Sequence, residues 1–436
     1  MNNFIKISHQ KVLTIWLFMF FMLCSDISLS AKNMFQNPEM NQNFKEFTGI
    51  VIDSKTKETL AFATINVLDT NISTITNSDG EFLLKVPNAF VDNDMHISFL
   101  GYQSKIIPLS SLNGEDIHIL LEESAMQLSE IKINAPKDAK SLVKAALDKK
   151  GEHNFTEETM LTAFYRETIK KRRRDASLSE AVVEIYRQPS TSSKGDKIKL
   201  IKARKSTDYS RLDTLAVKLQ GGPYSAIYAD IIKYPQFIFN EHTLEDYEFS
   251  FDKPTEINNR SVYVVKFKQR PEIMDPMHFG KLYIDAETFS LISAIYNLNV
   301  ENKEKAAELF VKKKPNRVTV YPTEAAYRVD YRLKDNKWHY GYSNIQLTFK
   351  VNWKGRLFNS IYTLSSEMAV TDWSKVMNDD PSRRETLRPT VILSEEASGF
   401  SDPRFWGEYN IIEPEKSIES AIEKINKHLE KRQNNS

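Results

Sequence analysis

The stretch Thr76-Asn77-Ser78-Asp79-Gly80-Glu81-Phe82 organises the N-terminal part of this 436-residue chain. Asn, Asp and Gly tolerate positive φ, so Asn77, Asp79 and Gly80 predict a tight structural turn. Short segments of β-like composition flank this turn on both sides. They are Gly49 to Asp53, Ala63 to Leu68, Phe82 to Pro87, Met95 to Leu100 and Ile117 to Leu121. Short strands with turn signals between them predict a small antiparallel β-sandwich.

This region resembles the carboxypeptidase-regulatory-like domain. The matching residues are Gly49, Asp53, Ala63, Val67, Thr76 to Phe82 with its D-G-x-F signature, Val86-Pro87, Gly101-Tyr102, Leu121 to Glu123, Leu128 to Ile131 and Ile133. The resemblance implies a prealbumin-like, seven-stranded β-sandwich over residues 45–135, without a peptidase site. It implies no particular function, because the domain accompanies many unrelated partners.

The N-terminus has the pattern of a secretory signal peptide, which we place at residues 1–31. Basic residues such as Lys6 and Lys11 precede the apolar run Val12 to Cys24, which is shorter than a membrane helix requires. Small residues follow at Ser28 to Ala31. We therefore expect export across the inner membrane, to the periplasm or the periplasmic face of the outer membrane. We expect no transmembrane span in the mature chain.

A single cysteine, Cys24, bears on both anchoring and stability. Its lipidation is the alternative to cleavage of the signal after Ser30 or Ala31. Cleavage there leaves no cysteine for a disulfide or a thiolate metal site. The other predicted segments are a flexible tether at 32–44, a linker helix at 136–152, a curved antiparallel β domain at 153–412 and an amphipathic C-terminal helix at 413–436.

Long strands in which apolar and polar residues alternate dominate the second domain. The clearest runs from Ile345 to Trp353, with apolar residues at the odd positions. Alternation with period two indicates one wet face and one dry face. The pattern predicts a large, curved antiparallel sheet with an apolar concave side and a few covering helices. The side chains that we expect to line this side are Tyr263, Val265, Phe267, Leu282, Ile284, Tyr296, Tyr331, Trp338, Leu347 and Phe349.

Part of this domain resembles the central hairpin of lipoprotein-carrier-type half-barrels. The matching residues are Phe267, Gly280 to Asp285, Thr288 and Ile292 to Ala294. In those proteins a curved sheet with a lid holds an acyl chain or docks a partner. The resemblance implies a half-barrel-like sheet that holds a lipid-like ligand or docks an envelope protein.

The search for metal-ligating residues gives one spacing of interest. His242 and Glu245 have the His-x-x-Glu spacing of zinc carboxypeptidases, and His339 is a candidate third ligand. We interpret residues 242–245 as part of a strand, in which a three-residue offset points side chains to opposite faces. This interpretation disfavours zinc.

Two further acidic sets have simple structural interpretations. Asp53, Asn77 and Asp79 suggest calcium, but a turn explains Asn77 and Asp79 without an ion. Glu180 and Glu184 fall on one strand face, as a catalytic carboxylate pair would. We expect both glutamates to face solvent.

Composition excludes some classes of function. The net charge of +1 provides no strong field for nucleic acid, and 13 glycines leave little room for a Gly-rich phosphate loop. We therefore expect a non-enzymatic binding or accessory protein of the cell envelope, without cofactor, metal or nucleic-acid partner. The alternatives are a hydrolase with an unrecognised active site in the second domain and a purely structural envelope protein.

Overall fold

The structure is a computed structural model that describes residues 43–124, 136–172, 174–207, 220–239, 243–312, 314–355, 357–375, 381–399 and 405–415. The predicted signal peptide and nearly all of the predicted tether and C-terminal helix lie outside these ranges. Residues 413–415, at the start of that predicted helix, have no regular secondary structure. No helix in the described ranges has both the length and the hydropathy of a membrane span.

Seven short strands form the N-terminal sandwich. They are β1 (Phe44–Asp53), β2 (Thr64–Val67), β3 (Ser73–Ile75), β4 (Glu81–Pro87), β5 (Asp94–Ser98), β6 (Lys105–Pro108) and β7 (Ile117–Leu121). A three-stranded sheet in the order β4-β1-β7 packs on a four-stranded sheet in the order β3-β2-β5-β6. Buried Phe47, Ile65 and Phe82 belong to the core between them. The seven-stranded sandwich is confirmed, although the β1–β7 pair is parallel rather than antiparallel.

The turn Asn77 to Gly80 carries the chain from one sandwich sheet to the other, because β3 and β4 belong to different sheets. The Asn77 side-chain oxygen accepts hydrogen bonds from the backbone N–H groups of Asp79 and Glu81, each at 2.9 Å. Gly80 has φ +78°, and a Cβ there would lie 2.8 Å from the Cβ of Thr59. Positive φ and close packing together favour glycine at this position.

Two helices, rather than the single predicted linker helix, connect the sandwich to the large sheet, and the second ends one residue beyond the predicted range. They are α1 (Ala139–Asp148) and α2 (Lys150–His153). The Asp138 carboxylate caps α1 by accepting a hydrogen bond from the Ser141 N–H at 2.8 Å. The apolar side of α1, including Leu142 and Val143, is buried in the core of the large sheet.

The large sheet follows in the order β11-β12-β13-β14-β15-β16-β17-β8-β9-β10-β18. Its strands are β8 (Thr159–Lys171), β9 (Arg174–Arg187), β10 (Lys197–Thr207), β11 (Tyr247–Ile257), β12 (Arg260–Gln269), β13 (His278–Asp285), β14 (Leu291–Leu298), β15 (Val318–Lys334), β16 (Lys337–Trp353), β17 (Ser360–Lys375) and β18 (Ser398–Gly399). Neighbouring strands are antiparallel except for the two-residue β18, which pairs parallel to β10. The sheet is open and not closed into a barrel. The strands of the sandwich and of this sheet make up most of the regular structure, which confirms the predicted mainly β architecture.

Short polar turns set the register of the long hairpins. Asp335 and Asn336 both have positive φ, 48° and 57°, between the paired residues Lys334 and Lys337. Two residues with positive φ match the right-handed twist of the strands that they join.

Other segments of the chain cover parts of both faces of the sheet. One face, here called the helix-covered face, packs against α1, α3 (Pro223–Ile227), α5 (Leu393–Glu396) and the segment that follows α3, while α4 (Lys303–Phe310) lies over one end of it. The opposite face, here called the sandwich face, contacts the N-terminal sandwich and residues 405–415, here called the C-terminal strap. Short 3₁₀ turns lie at Asn88–Phe90, Leu109–Ser111, Pro235–Phe237 and Thr243–Asp246.

Candidate binding cleft

The predicted lining residues all lie on the helix-covered face, in two separate clusters. Leu347 and Phe349 belong to the cluster under α4, where the Phe310 ring meets the Phe349 ring edge-on at 5.8 Å. The other eight share one larger buried cluster. They are Tyr263, Val265, Phe267, Leu282, Ile284, Tyr296, Tyr331 and Trp338. The alternation of apolar and polar residues along the strands thus puts these ten side chains on one face of the sheet. They do not surround a single cavity.

Residues 220–239 pack over the larger cluster. Ile227, Ile232 and Phe239 of this segment are buried, and the Phe239 and Phe267 ring centroids are 5.0 Å apart. A cavity at the edge of this face, lined by Trp338 and Tyr340 among others, measures about 20 Å³. That volume suits about one water molecule. Over the larger cluster, the described chain fills the predicted trough with its own side chains.

A buried polar network fixes this covering segment to the sheet. The Arg187 guanidinium donates to Asp196 at 2.5 Å and also to Asp230. The hydroxyl of Tyr331 donates to Asp230 at 2.7 Å, and that of Tyr234 donates to Asp196 at 2.8 Å. Buried charges are tolerated only when paired and hydrogen-bonded, and this network meets that condition. The cover is therefore an integral layer of the fold.

A larger cleft opens on the sandwich face. Its volume is about 290 Å³, close to the lower end of the range for small-molecule sites. Its walls come from both parts of the protein. The sandwich wall includes Phe62, Thr64, Asn66, His96 and Phe99, and the sheet wall includes Ile292, Arg328, Asp330, Arg332 and Leu333. Aromatic and aliphatic surface is thus combined with a small number of charges.

The charges in the cleft differ in how they are balanced. The Arg328 Nε donates to Asp330 at 2.7 Å, and Asp330 also accepts a hydrogen bond from Ser293 at 2.5 Å. Arg332, by contrast, donates to the Ser73 hydroxyl and, at 3.0 Å, to the Val370 carbonyl, and both acceptors are neutral. Among the described residues, no carboxylate forms a salt bridge with Arg332, and burial lowers the pKa of its guanidinium to about 10.

The C-terminal strap holds the sandwich in place beside the cleft. The Asn410 side chain forms two hydrogen bonds with the backbone of Lys85, accepting from N–H at 2.7 Å and donating to C=O at 3.0 Å. The Asn77 amide donates to the Glu413 carbonyl at 3.3 Å. Asn77 therefore both shapes its turn and binds the strap.

Replacing Asn410 with alanine should lower the free energy of unfolding by about 1–3 kcal/mol, because it removes two buried hydrogen bonds between this side chain and the Lys85 backbone. Urea unfolding would measure the change. Asn113→Ala, in an exposed loop, is the control and should shift stability by no more than about 0.5 kcal/mol. Equal stability of the two variants would contradict the role given to Asn410.

A buried ionic cluster lies beneath the strap. Glu180 is fully buried and accepts from Arg166 and Arg204, each at 2.8 Å. Arg166 also pairs with Glu367 at 3.2 Å and donates to the Ile412 carbonyl of the strap at 2.7 Å. The expectation that Glu180 faces solvent is wrong, because strap and sandwich cover this face. Glu184, four residues along the same strand, is partly exposed.

The zinc candidates do not form a site within the described residues. Residues 243–246 form a 3₁₀ turn rather than the expected strand, and His242 lies outside the described ranges. Glu245 is exposed and pairs with Lys140 at 2.5 Å. His339 stacks on Trp373 at 5.5 Å, and burial lowers its pKa to about 4. No group of three or more His, Cys, Asp or Glu residues suited to a metal occurs in the described ranges.

The residues considered for calcium have structural explanations in the protein itself. The Asp53 carboxylate accepts hydrogen bonds from the N–H groups of Lys55 and Thr56, both at 2.7 Å, and from the Tyr102 hydroxyl at 2.6 Å. These bonds, that of Tyr102 above all, lower the pKa of Asp53 to about 2. Asp79 is exposed, as its place in the turn requires.

Arg328 and Arg332 are cleft residues that the sequence did not single out. They alternate with Val329 and Tyr331 in β15, and such alternation predicts a solvated polar face. In the structure this face meets the sandwich. The sequence does indicate two fused domains, and two fused domains pack against each other through part of their surfaces. Charged residues on those surfaces, such as Arg328 and Arg332, then become partly buried.

These features define a protein of two parts, a β-sandwich attached to one face of a large open sheet. Residues 47–133 match the family model described as the CarboxypepD_reg-like domain, which confirms the resemblance seen in the sequence. None of the curated proteins matches this chain.

Several solved structures are similar to part of the chain. MucB is 11% identical over 53% of this chain and 92% of its own, with a TM-score of 0.20. A DUF1329 family protein from Desulfovibrio piger is 10% identical over 56% of this chain and 96% of its own, with a TM-score of 0.21. A structure described as lipid-protein interactions in lipovitellin is 8% identical over 52% of this chain and 27% of its own, with a TM-score of 0.24. Scores this low carry no argument about function.

Proposed function

We propose that this chain is a non-enzymatic binding protein of the cell envelope, and that its ligand occupies the cleft between the sandwich and the large sheet. The observation that carries the proposal is a cleft of about 290 Å³ whose lining combines aromatic and aliphatic side chains with Arg332, a cation whose hydrogen-bond acceptors are neutral. Sites for small molecules combine apolar walls with a few placed polar groups in this way. The ligand chemistry that fits is a small apolar body with one anionic group.

The proposed compartment depends on the N-terminal sequence. Lys6 and Lys11 followed by the apolar run Val12 to Cys24 have the pattern of an export signal. Fractionation of cells, with N-terminal sequencing of the mature protein, tests export and the cleavage site. Recovery of the uncut chain from the cytoplasm would contradict the envelope assignment.

Replacing Arg332 with glutamine should weaken binding of an anionic aromatic probe such as anilinonaphthalene sulfonate. Hydrogen bonds to a charged group contribute about 1.5–3 kcal/mol, so the dissociation constant should rise about tenfold to a hundredfold. Fluorescence titration of the folded protein would measure it. Arg383→Gln, in an exposed loop, is the control and should bind as the unchanged protein does.

An uncharged analogue of the probe separates the two parts of this proposal. If Arg332→Gln loses affinity only for the anionic probe, the cleft is the site and the arginine recognises the anion. If both proteins bind neither probe, the cleft is not a ligand site. Extraction of the protein purified from its cells, followed by mass spectrometry, then identifies the natural ligand.

The purely structural alternative has one observation in its favour. The helix-covered face, on which an acyl chain was expected, is packed by residues 220–239 and by α1. A structural envelope protein would show no extractable ligand and no change in probe binding on replacing Arg332. The same titration therefore distinguishes it from a binding protein.

A further inference from the structure

One end of the large sheet carries an exposed apolar tip. In the connection between β16 and β17, Leu357 and Phe358 are 95% and 77% exposed, and Ile361 at the start of β17 is 43% exposed. Single exposed apolar residues are common, but neighbouring ones on a protruding hairpin mark interaction sites. The tip lies beyond a small buried cluster that includes Val351 and Tyr362, so its base is held by packing.

Cationic residues surround this tip. Segments 170–175, 312–317 and 350–358 contain five, four and three Lys or Arg residues, and their only acidic residue is Asp175. Within the described ranges Arg172, Arg174, Lys314, Arg317 and Lys354 are exposed. The whole chain has a net charge of +1, so this concentration of positive charge is local.

Backbone hydrogen bonds place these segments side by side. The N–H of Arg172, in the β8–β9 hairpin, donates to the Ile361 carbonyl at 2.8 Å. The N–H of Lys354 donates to the Arg317 carbonyl, just before β15, at 2.9 Å. Cations therefore flank Leu357 and Phe358 from both neighbouring strand ends. We call the described residues at this end of the sheet, 170–172, 174, 314–317, 354–355 and 357–361, the tip surface.

We propose that the tip surface docks on an anionic phospholipid bilayer, with Leu357 and Phe358 inserted at the level of the headgroups. Interfacial binding of this kind requires apolar side chains that bury themselves and cations that meet anionic lipids, and the tip surface presents both. An acidic partner protein would complement the cations, but it would not explain why Leu357 and Phe358 are exposed. The bilayer accounts for both features.

The tip surface is distinct from the cleft. Arg332 lies fourteen residues along β15 from Val318, which corresponds to roughly 45 Å of extended chain. The bilayer proposal therefore does not depend on the proposed ligand. A protein docked by its tip would keep the cleft well away from the headgroups.

Sedimentation with lipid vesicles tests the proposal. The full chain should bind vesicles of phosphatidylcholine mixed with phosphatidylglycerol, bind pure phosphatidylcholine much less, and lose affinity as salt is added. The double variant Leu357→Ser/Phe358→Ser should bind at least about tenfold more weakly, because it loses the inserted apolar surface. Its matched control is Met274→Ser, which changes another apolar side chain that is 70% exposed.

Charge reversal tests the electrostatic part. Each Lys or Arg near an anionic surface contributes about 1 kcal/mol, or about fivefold in partitioning, so Arg172→Glu/Arg174→Glu should weaken binding by more than about tenfold. Lys55→Glu/Lys105→Glu, on the exposed surface of the sandwich, is the matched control and should bind almost as the unchanged protein does. The Arg332→Gln variant should also bind vesicles normally.

Two results would overturn the proposal. One is equal, weak sedimentation of the unchanged protein with anionic and zwitterionic vesicles, which would leave an acidic macromolecule as the partner. The other is anionic-vesicle binding that survives both tip variants, which would place the contact elsewhere. The substituted residues of the tip surface and of its matched controls are exposed, and urea midpoints near that of the unchanged protein would show that folding is retained.

Discussion

Replacing Glu180 with glutamine should lower the free energy of unfolding by about 3–5 kcal/mol, because it removes the buried carboxylate charge to which two buried guanidinium groups donate hydrogen bonds. The Arg166 and Arg204 guanidinium groups each lie 2.8 Å from an oxygen of this carboxylate. Glutamine keeps the size of the side chain but removes the negative charge between the two cations. Urea unfolding followed by tryptophan fluorescence and circular dichroism would measure the loss.

Glu184→Gln is the matched control, since it makes the same substitution four residues along the same strand and on the same face. Glu184 is partly exposed and lies 3.8 Å from Lys199, an ion pair of a kind that contributes about 0–1 kcal/mol. The two variants should therefore differ by several kilocalories per mole. Similar stability would mean that water reaches Glu180 and that the strap does not seal this face.

Glu180 also shows what local sequence patterns leave undetermined. Alternation in β9 correctly puts Glu180 and Glu184 on the face opposite Ala181 and Val183, which are buried on the helix-covered face. Which face is solvated depends on segments far away in the chain. Residues 405–415 cover Glu180 from more than two hundred positions away, as the bond from Arg166 to Ile412 shows. No periodicity within β9 contains that information.

The same distinction separates the fold from the candidate site. The sandwich follows from local signals, since turn residues such as Asn77 and Gly80 act within a few positions of themselves. The helix-covered face was also predictable, because period-two patterning depends only on strand geometry. The cleft depends on two distant surfaces meeting, Phe62 and Phe99 from the sandwich with Arg328 and Arg332 from β15. Its residues are ordinary in the sequence.

Glu167→Gln should stabilise the protein above about pH 7 by roughly 2–3 kcal/mol and leave it unchanged near pH 4.5. Glu167 is buried on the helix-covered face, where the Tyr165 hydroxyl donates to its carboxylate at 2.9 Å. Burial raises the pKa of Glu167 from its ordinary value of 4.5 to about 7. Glutamine has the shape of the protonated carboxyl and can accept the same hydrogen bond.

The sign of this pH dependence follows from proton counts. Below about pH 4.5 the carboxyl is protonated in both the folded and the unfolded states, and it makes no difference to stability. Between about 4.5 and 7 the folded state holds a proton that the unfolded state has released, so stability falls as the pH rises. Above about 7 the folded state carries the buried charge at its full cost. The glutamine variant removes this slope.

Urea unfolding of both proteins at a series of pH values between about 4.5 and 8 would measure the difference. Glu158→Gln removes an exposed carboxylate just before β8 and should leave the slope unchanged. Subtracting the two curves isolates Glu167 from the other titrating groups. A Glu167→Gln curve parallel to that of the unchanged protein would mean that Glu167 is ionised throughout this range. A cation or water would then have to reach it between β8 and its covering segments.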